Sequence, residues 1–204
     1  LSAKELKQQE RNVLQNKITG LSKGQRRQEE LRIQDILQTL ILDLQIHRLL
    51  AYRALGDEVN IDGLLEALLS DTSVGSGDQK LLMGFPRING QDMDFFSVRS
   101  WENDWQKGLW DLWEPRSSRA MNIKEGKTLI LVPGRGFTPM GHRLGRGGGY
   151  YDRFLCRHPR IISLGIAYDC QVVSSLPQDP WDQPLMGVLR PSVDPNELTY
   201  YFDK

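Results

Sequence analysis

Little in this chain points toward a membrane, a disulfide scaffold or a nucleic acid. Only 2 of its 204 residues are cysteine. Cys156 and Cys170 have no second pair or histidine cluster at ligand spacing, so neither a disulfide framework nor a zinc site is implied, and both read as structural thiols. An excess of one charge is missing too, since 26 Lys and Arg balance 26 Asp and Glu. No global field draws the protein onto nucleic acid or a membrane surface. Long apolar runs are absent. The greasiest stretch, 37–55, is broken by Asp43, Gln45, His47, Arg48 and Arg53, whereas a bilayer span needs about 20 mostly apolar residues. Residues 1–17 are polar and charged with no apolar signal core, which leads to the expectation of a cytoplasmic address.

What is present suits one α/β domain over 1–204, with a hydrophobic content of 39% to supply its core. Leu6, Val13, Leu14, Ile18 and Leu21 form a loose helical stripe, and Ile33, Ile36, Leu37, Leu40, Ile41 and Leu44 a cleaner one, predicting two N-terminal helices. Residues 47–55 read as a strand, followed by the turn Gly56-Asp57-Glu58 and a helix marked by Ile61, Leu64, Leu65, Leu68 and Leu69. The stretch 71–79 has the composition of a flexible connection. Strands over 80–87 and 93–98 flank the turn Asn89-Gly90. A Trp-rich segment, 101–115, reads as irregular. Further strands are expected at 128–132, 161–167 and 185–190, and a helix over 150–157. Strands alternating with helices predict a three-layer domain with a mainly parallel or mixed sheet. No internal repeat is present.

The densest chemical signal is PGRGFTPMGHRLGRGGGYYDR, residues 133–153. Seven of its 21 residues are Gly and four are Arg (Arg135, Arg143, Arg146, Arg153), with Asp152 the only acid. A strand, this loop and then a helix would place backbone N–H groups and a helix N-terminus at the mouth of a sheet, where phosphate binds. Gly145, Gly147, Gly148 and Gly149 let the main chain approach an anion closely. Arg143 and Arg146 add forked, charge-assisted hydrogen bonds. Asp152 follows at a position suited to the Mg²⁺ that accompanies a nucleoside triphosphate. The bland alternative is a flexible surface loop with solvated arginines. Neither a G-x-x-x-x-G-K-[ST] loop nor a G-x-G-x-x-G fingerprint occurs, so a less common nucleotide site is needed.

The string Arg143-Leu-Gly-Arg-Gly-Gly-Gly-Tyr-Tyr-Asp152, preceded by Leu131-Val-Pro-Gly134, resembles the signature of the 5-formyltetrahydrofolate cyclo-ligase family, also called methenyltetrahydrofolate synthetases. Weaker echoes follow the family's order: Lys7 and Arg11, Gly56-Asp-Glu-Val59, Phe85-Pro-Arg-Ile88, Met93-Asp-Phe95 and Pro180-Trp-Asp-Gln-Pro184. The resemblance implies that 5-formyltetrahydrofolate and ATP give 5,10-methenyltetrahydrofolate, ADP and phosphate. It implies ATP contacts at Lys7, Arg11, Arg143, Leu144, Gly145, Arg146, Gly147, Gly148, Gly149, Tyr150 and Tyr151, with Arg143 and Arg146 also catalytic. Asp152 and Asp182 match magnesium ligands. Substrate contacts are implied at Glu58 and Arg53, and Arg146 and Tyr150 lie where both substrates meet. Phe85, Met93, Trp110 and Trp113 could wall an apolar slot for the folate rings, with core packing as the alternative.

The chain departs from the family in three places. Thr138 follows Phe137 where many relatives carry an acid, residues 108–115 are Trp-rich, and Asn60 stands where Asp or Thr is frequent. The partners expected are the two small-molecule substrates, with no nucleic acid or membrane and a monomer favoured. Competing readings are a noncatalytic nucleotide- or phosphate-binding module on the same fold, which could dispense with the Asp152 and Asp182 pair, and an RNA-binding protein stacking bases on Tyr150 and Tyr151. His142 is a loop histidine or an acid-base group.

Overall fold

A computed structural model describes residues 2–71, 75–76 and 79–194. The chain opens with two helices, α1 (Ala3–Gly20) and α2 (Lys23–Asp43), each started by a serine. Ser2 and Ser22 accept hydrogen bonds from the N–H groups of Glu5 and Gln25, whose side chains reach back to the serine N–H. Both are capping boxes. Along α1, Lys7, Arg11, Leu14 and Ile18 follow one stripe, so a single face changes from charged to apolar. Leu14 packs on Leu144 and Leu176, and Ile18 joins the main core.

The remaining elements are β1 (Arg48–Leu50), α3 (Asp62–Ser70), β2 (Gly75–Ser76), β3 (Gln79–Lys80), β4 (Leu82–Asn89), β5 (Asp92–Val98), β6 (Trp105–Lys107), β7 (Trp113–Pro115), β8 (Thr128–Val132), β9 (Gly136–Phe137), β10 (Arg143–Leu144), α4 (Tyr150–Arg157), β11 (Ile162–Ile166) and β12 (Gly187–Leu189). Six strands form one sheet in the order β12-β11-β8-β1-β4-β5. Every pairing is parallel except β4 with β5, which the Asn89-Gly90 turn makes antiparallel, with Gly90 at φ 61°. Alternate residues feed opposite faces. Leu49, Leu129 and Leu131 pack with the apolar sides of α2 and α3, while Leu50, Ile130 and Val132 pack with Phe154 and Leu155 of α4. Helices therefore cover both sides of a mixed, mainly parallel sheet.

Two expectations need correction. The strand expected over 47–55 pairs only through Arg48–Leu50. Beyond Ala51 the chain leaves the sheet because local partners take its polar groups: Leu55 N–H donates to the Glu58 carboxylate at 3.0 Å and the Tyr52 hydroxyl to the Val59 carbonyl at 2.9 Å. The Trp-rich segment is not irregular. β6 and β7 form an antiparallel hairpin around a 3-10 turn, pairing Trp105 with Pro115 and Lys107 with Trp113. The connection expected over 71–79 lies largely outside the described residues.

The glycine-arginine loop is pinned to the segment before β12 by one backbone bond, Leu185 N–H to Gly141 carbonyl at 2.9 Å. Gly141 sits at φ 83°, and a Cβ there would meet the Leu185 carbonyl. Gly141→Ala combines a left-handed penalty with overpacking, so it is expected to lose about 2–4 kcal/mol and to lower the melting midpoint by roughly 5–15 °C. Calorimetry of the variant checks this.

At the end of α4, His158 stacks on Phe154 with centroids 4.6 Å apart. Burial, and then the neighbouring Arg157 charge, hold its imidazole below the ordinary value of 6.5. Because the unfolded chain takes up the proton first, this contribution to stability is present above about pH 6.5 and is lost as pH falls toward the folded value. The melting midpoint should fall between about pH 7 and pH 5, and His158→Gln should flatten that slope.

Candidate active site

Parallel strands β1 and β8 are neighbours, so the loops after Leu50 and Val132 open side by side at their carboxyl ends, where α/β sheets hold ligands. There they form a cleft of about 880 Å³. All the site residues expected from the sequence line it except Trp110, whose side chain lies outside the described residues.

One half of the cleft is charged. After the short β9–β10 ladder, Gly145–Gly149 lead into α4, with Gly147 at φ 106° and Gly149 at φ 66°. Those left-handed values require glycine and turn the chain into the helix N-terminus. Arg11 Nε donates to the Gly145 carbonyl at 2.9 Å, tying α1 to this loop. Lys7 Nζ lies between Asp179 at 2.7 Å and Asp182 at 2.5 Å. Burial works to lower the Lys7 ammonium, but the two aspartates outweigh it and the net shift is upward. Arg143 pairs with Asp152 at 2.9 Å, reaches the Pro133 carbonyl at 3.3 Å and lies over the Tyr151 ring. Its Nε is buried without a partner.

The arginines that read as phosphate ligands are thus already paired. Arg146 Nε donates to Glu58 at 3.0 Å and its other end meets Asp57, which also contacts Arg135. Burial, then the Arg146 and Arg11 charges, press the Arg135 guanidinium down to about 10. Desolvation of the Tyr151 phenol, followed by the Glu58 charge, pushes it well above its ordinary range. It stays protonated and acts as a donor or a ring face.

The other half is aromatic. The Arg53 guanidinium lies 5.1, 4.9 and 5.2 Å from the ring centroids of Trp101, Trp105 and Trp113, with Asp62 at 3.9 Å. Phe85 is fully buried and meets Trp101 and Trp105 edge-on. Phe85 and Met93 are therefore core residues that also floor the cleft. His142 is not among the cleft-lining residues, and its N–H donates to the Thr138 hydroxyl.

Sequence reasoning missed several groups. Asp57, Asp179, Trp105, Glu114 and Trp181 all bear on the cleft or its ion pairs. The Asp179-x-x-Asp182 spacing was a usable sign, because Asp179 N–H caps the Asp182 carboxylate at 2.8 Å. Its pairing with Lys7 had no local signature.

Asp152 accepts the Gln183 N–H at 3.3 Å, which sets it beside the segment carrying Asp182. Among the described residues no cluster of three or more acids, histidines or cysteines could hold a metal by itself. Mg²⁺ commonly takes one or two carboxylates together with phosphate and water oxygens, so this donor pair fits an ion that arrives with a polyphosphate. The unspent Arg143 Nε fits the accompanying anion. Removing Lys7 would leave Asp179 and Asp182 close together without their cation. Lys7→Met is expected to lose about 1–3 kcal/mol in urea titration, and Asp179→Asn in the same chain to recover part of that loss.

A family model described as the 5-formyltetrahydrofolate cyclo-ligase family matches residues 3–191. The 5-formyltetrahydrofolate cyclo-ligase of Escherichia coli (strain K12) is 44% identical over 66 residues, covering 31% of this chain and 36% of that protein. The match therefore spans about a third of that relative's length. A Caenorhabditis elegans protein named probable 5-formyltetrahydrofolate cyclo-ligase is 24% identical over 197 residues, covering 91% of this chain and 93% of its own. The NMR structure of Aquifex aeolicus 5,10-methenyltetrahydrofolate synthetase superposes with a TM-score of 0.78 at 27% identity, over 92% of this chain and 91% of that one. A Mycoplasma pneumoniae 5,10-methenyltetrahydrofolate synthetase shares the fold, with a TM-score of 0.70 at 22% identity over 91% of this chain and 99% of its own. With a family match over nearly its whole length, and with the loop, its flanking acids and the sheet arranged as described, the chain belongs to the 5-formyltetrahydrofolate cyclo-ligase family.

Proposed function

We propose that this protein converts 5-formyltetrahydrofolate and ATP into 5,10-methenyltetrahydrofolate, ADP and phosphate. The observation that carries the reading is the division of one cleft into a half lined by Lys7, Arg11, Arg143 and the glycine loop and a half walled by indole rings. The first suits a triphosphate and the second a planar heterocycle. Proximity of the two is the main catalytic resource for such a reaction.

The formyl oxygen attacks the γ-phosphorus and ADP leaves. N10 then attacks the formyl carbon, phosphate departs with the C–O bond, and N10 gives up its proton as the methenyl bridge forms. Arg143 and Arg146 neutralise charge on the phosphoryl oxygens, and Lys7 and Arg11 hold the distal phosphates from the helix side. Leu144, Gly145 and Gly147–Gly149 present the backbone. Tyr150 and Tyr151 close over the place where the substrates meet, while Glu58 and Arg53 face the folate. Asp152 and Asp182 are the residues that would hold Mg²⁺, which would supply charge neutralisation to the polyphosphate when bound.

The test is the near-ultraviolet absorbance of the methenyl product after mixing protein, 5-formyltetrahydrofolate, ATP and Mg²⁺. The signal should require both ATP and Mg²⁺, and Arg143→Ala should lower kcat about 10²–10³-fold. A folded protein that binds ATP and yields no product would instead be a noncatalytic nucleotide-binding module.

A further inference from the structure

Glu114 is the carboxylate that the cleft leaves unused. It sits in β7, is 8% exposed, and lines the aromatic half between Trp113 and Pro115. Among the described residues no hydrogen-bond donor or cation is paired with its side chain. Glu58 differs, because its two oxygens are engaged by Arg146 Nε and Leu55 N–H. Space for the Glu114 carboxyl is made by Gly108, where any Cβ would occupy the volume of the Glu114 carboxyl group. Its oxygens open into the cleft with no protein donor against them among the described residues, so a ligand that brings two donors replaces water there with directed hydrogen bonds.

We infer that Glu114 is the acceptor for the paired N–H edge of the substrate's aminopyrimidinone ring, its ring N–H and exocyclic amino group. This rests on the folate reading above. Two adjacent N–H donors match a carboxylate's two oxygens, and the hairpin that carries Glu114 also carries Trp105 and Trp113, whose rings wall the same half. Arg53 is held by Asp62 and by the indoles rather than by Glu114. Glu58, already engaged by Arg146 and the Leu55 N–H, faces another part of the folate, and Glu114 determines specificity for the 2-amino edge of the heterocycle.

The isosteric Glu114→Gln variant separates these roles. Binding of 5-formyltetrahydrofolate, of its analogue with methyl in place of the 2-amino group, and of ATP is measured by calorimetry, together with the melting midpoint. The unaltered protein should prefer the folate over the analogue about 10–100-fold. Glu114→Gln should lose that preference and a similar factor in folate affinity while keeping its ATP affinity and melting midpoint. Glu58→Gln should keep the preference, which a merely structural effect on the cleft would not distinguish. Folate affinity and analogue preference unchanged in Glu114→Gln would overturn the assignment while leaving the function standing. An unaltered protein that binds ATP but no reduced folate would overturn both.

Discussion

The ammonium of Lys7, set between Asp179 and Asp182, is the contact on which the cleft depends. It joins the first helix to a segment 172 and 175 residues away, and both line the cleft. The helix can make this contact because its stripe continues into the core: Lys7 and Arg11 face the cleft, and Leu14 and Ile18 anchor the same face. Apolar burial fixes the helix, and the ion pair fixes the cleft's edge. An exposed pair would contribute little, but here the ammonium is largely removed from water, so losing one partner leaves charge uncompensated.

Charge balance extends this constraint across the site. By sequence the loop over 133–153 is strongly positive, yet in the fold acids from elsewhere join its own Asp152 against the arginines. Asp57 and Glu58 follow β1, and Asp179 and Asp182 precede β12. Each loop cation except Arg153 has a carboxylate against it. An anion entering beside these arginines meets paired cations and gains only the difference between its own contacts and those it replaces. Such exchange favours ligands that satisfy several arginines together over a single diffuse charge.

Much of the fold was legible because it follows from local periodicity. The two N-terminal helices, the strands at 128–132 and 161–167, the Asn89-Gly90 turn and the helix at 150–157 each announce themselves within a short window. The glycine loop was legible for the same reason, since its φ values of 106° and 66° demand glycine locally. The early end of β1 was hidden, because it depends on where the Glu58 carboxylate finds its donor. The Trp hairpin was hidden too. Its strands are three residues each and their pairing is set by packing around Arg53, for which composition alone gives no register. Long-range pairings such as Arg146 with Asp57 and Glu58 leave no trace in spacing.

The join between the two halves of the cleft follows from topology. Since β1 and β8 pair in parallel, the Gly56-Asp57-Glu58 turn and the glycine-arginine loop emerge next to one another. Arg146 bridges them, reaching from the charged loop to Asp57 and Glu58. In a partly dehydrated cleft an arginine left alone there would be expensive, and a carboxylate left alone equally so. Their mutual neutralisation lets phosphate-binding and ring-binding surfaces share one border with no unpaired charge at the join. Glu114 stands outside that network, on a hairpin whose Lys107 is already paired with Asp111, so its carboxylate is free to take donors from a ligand.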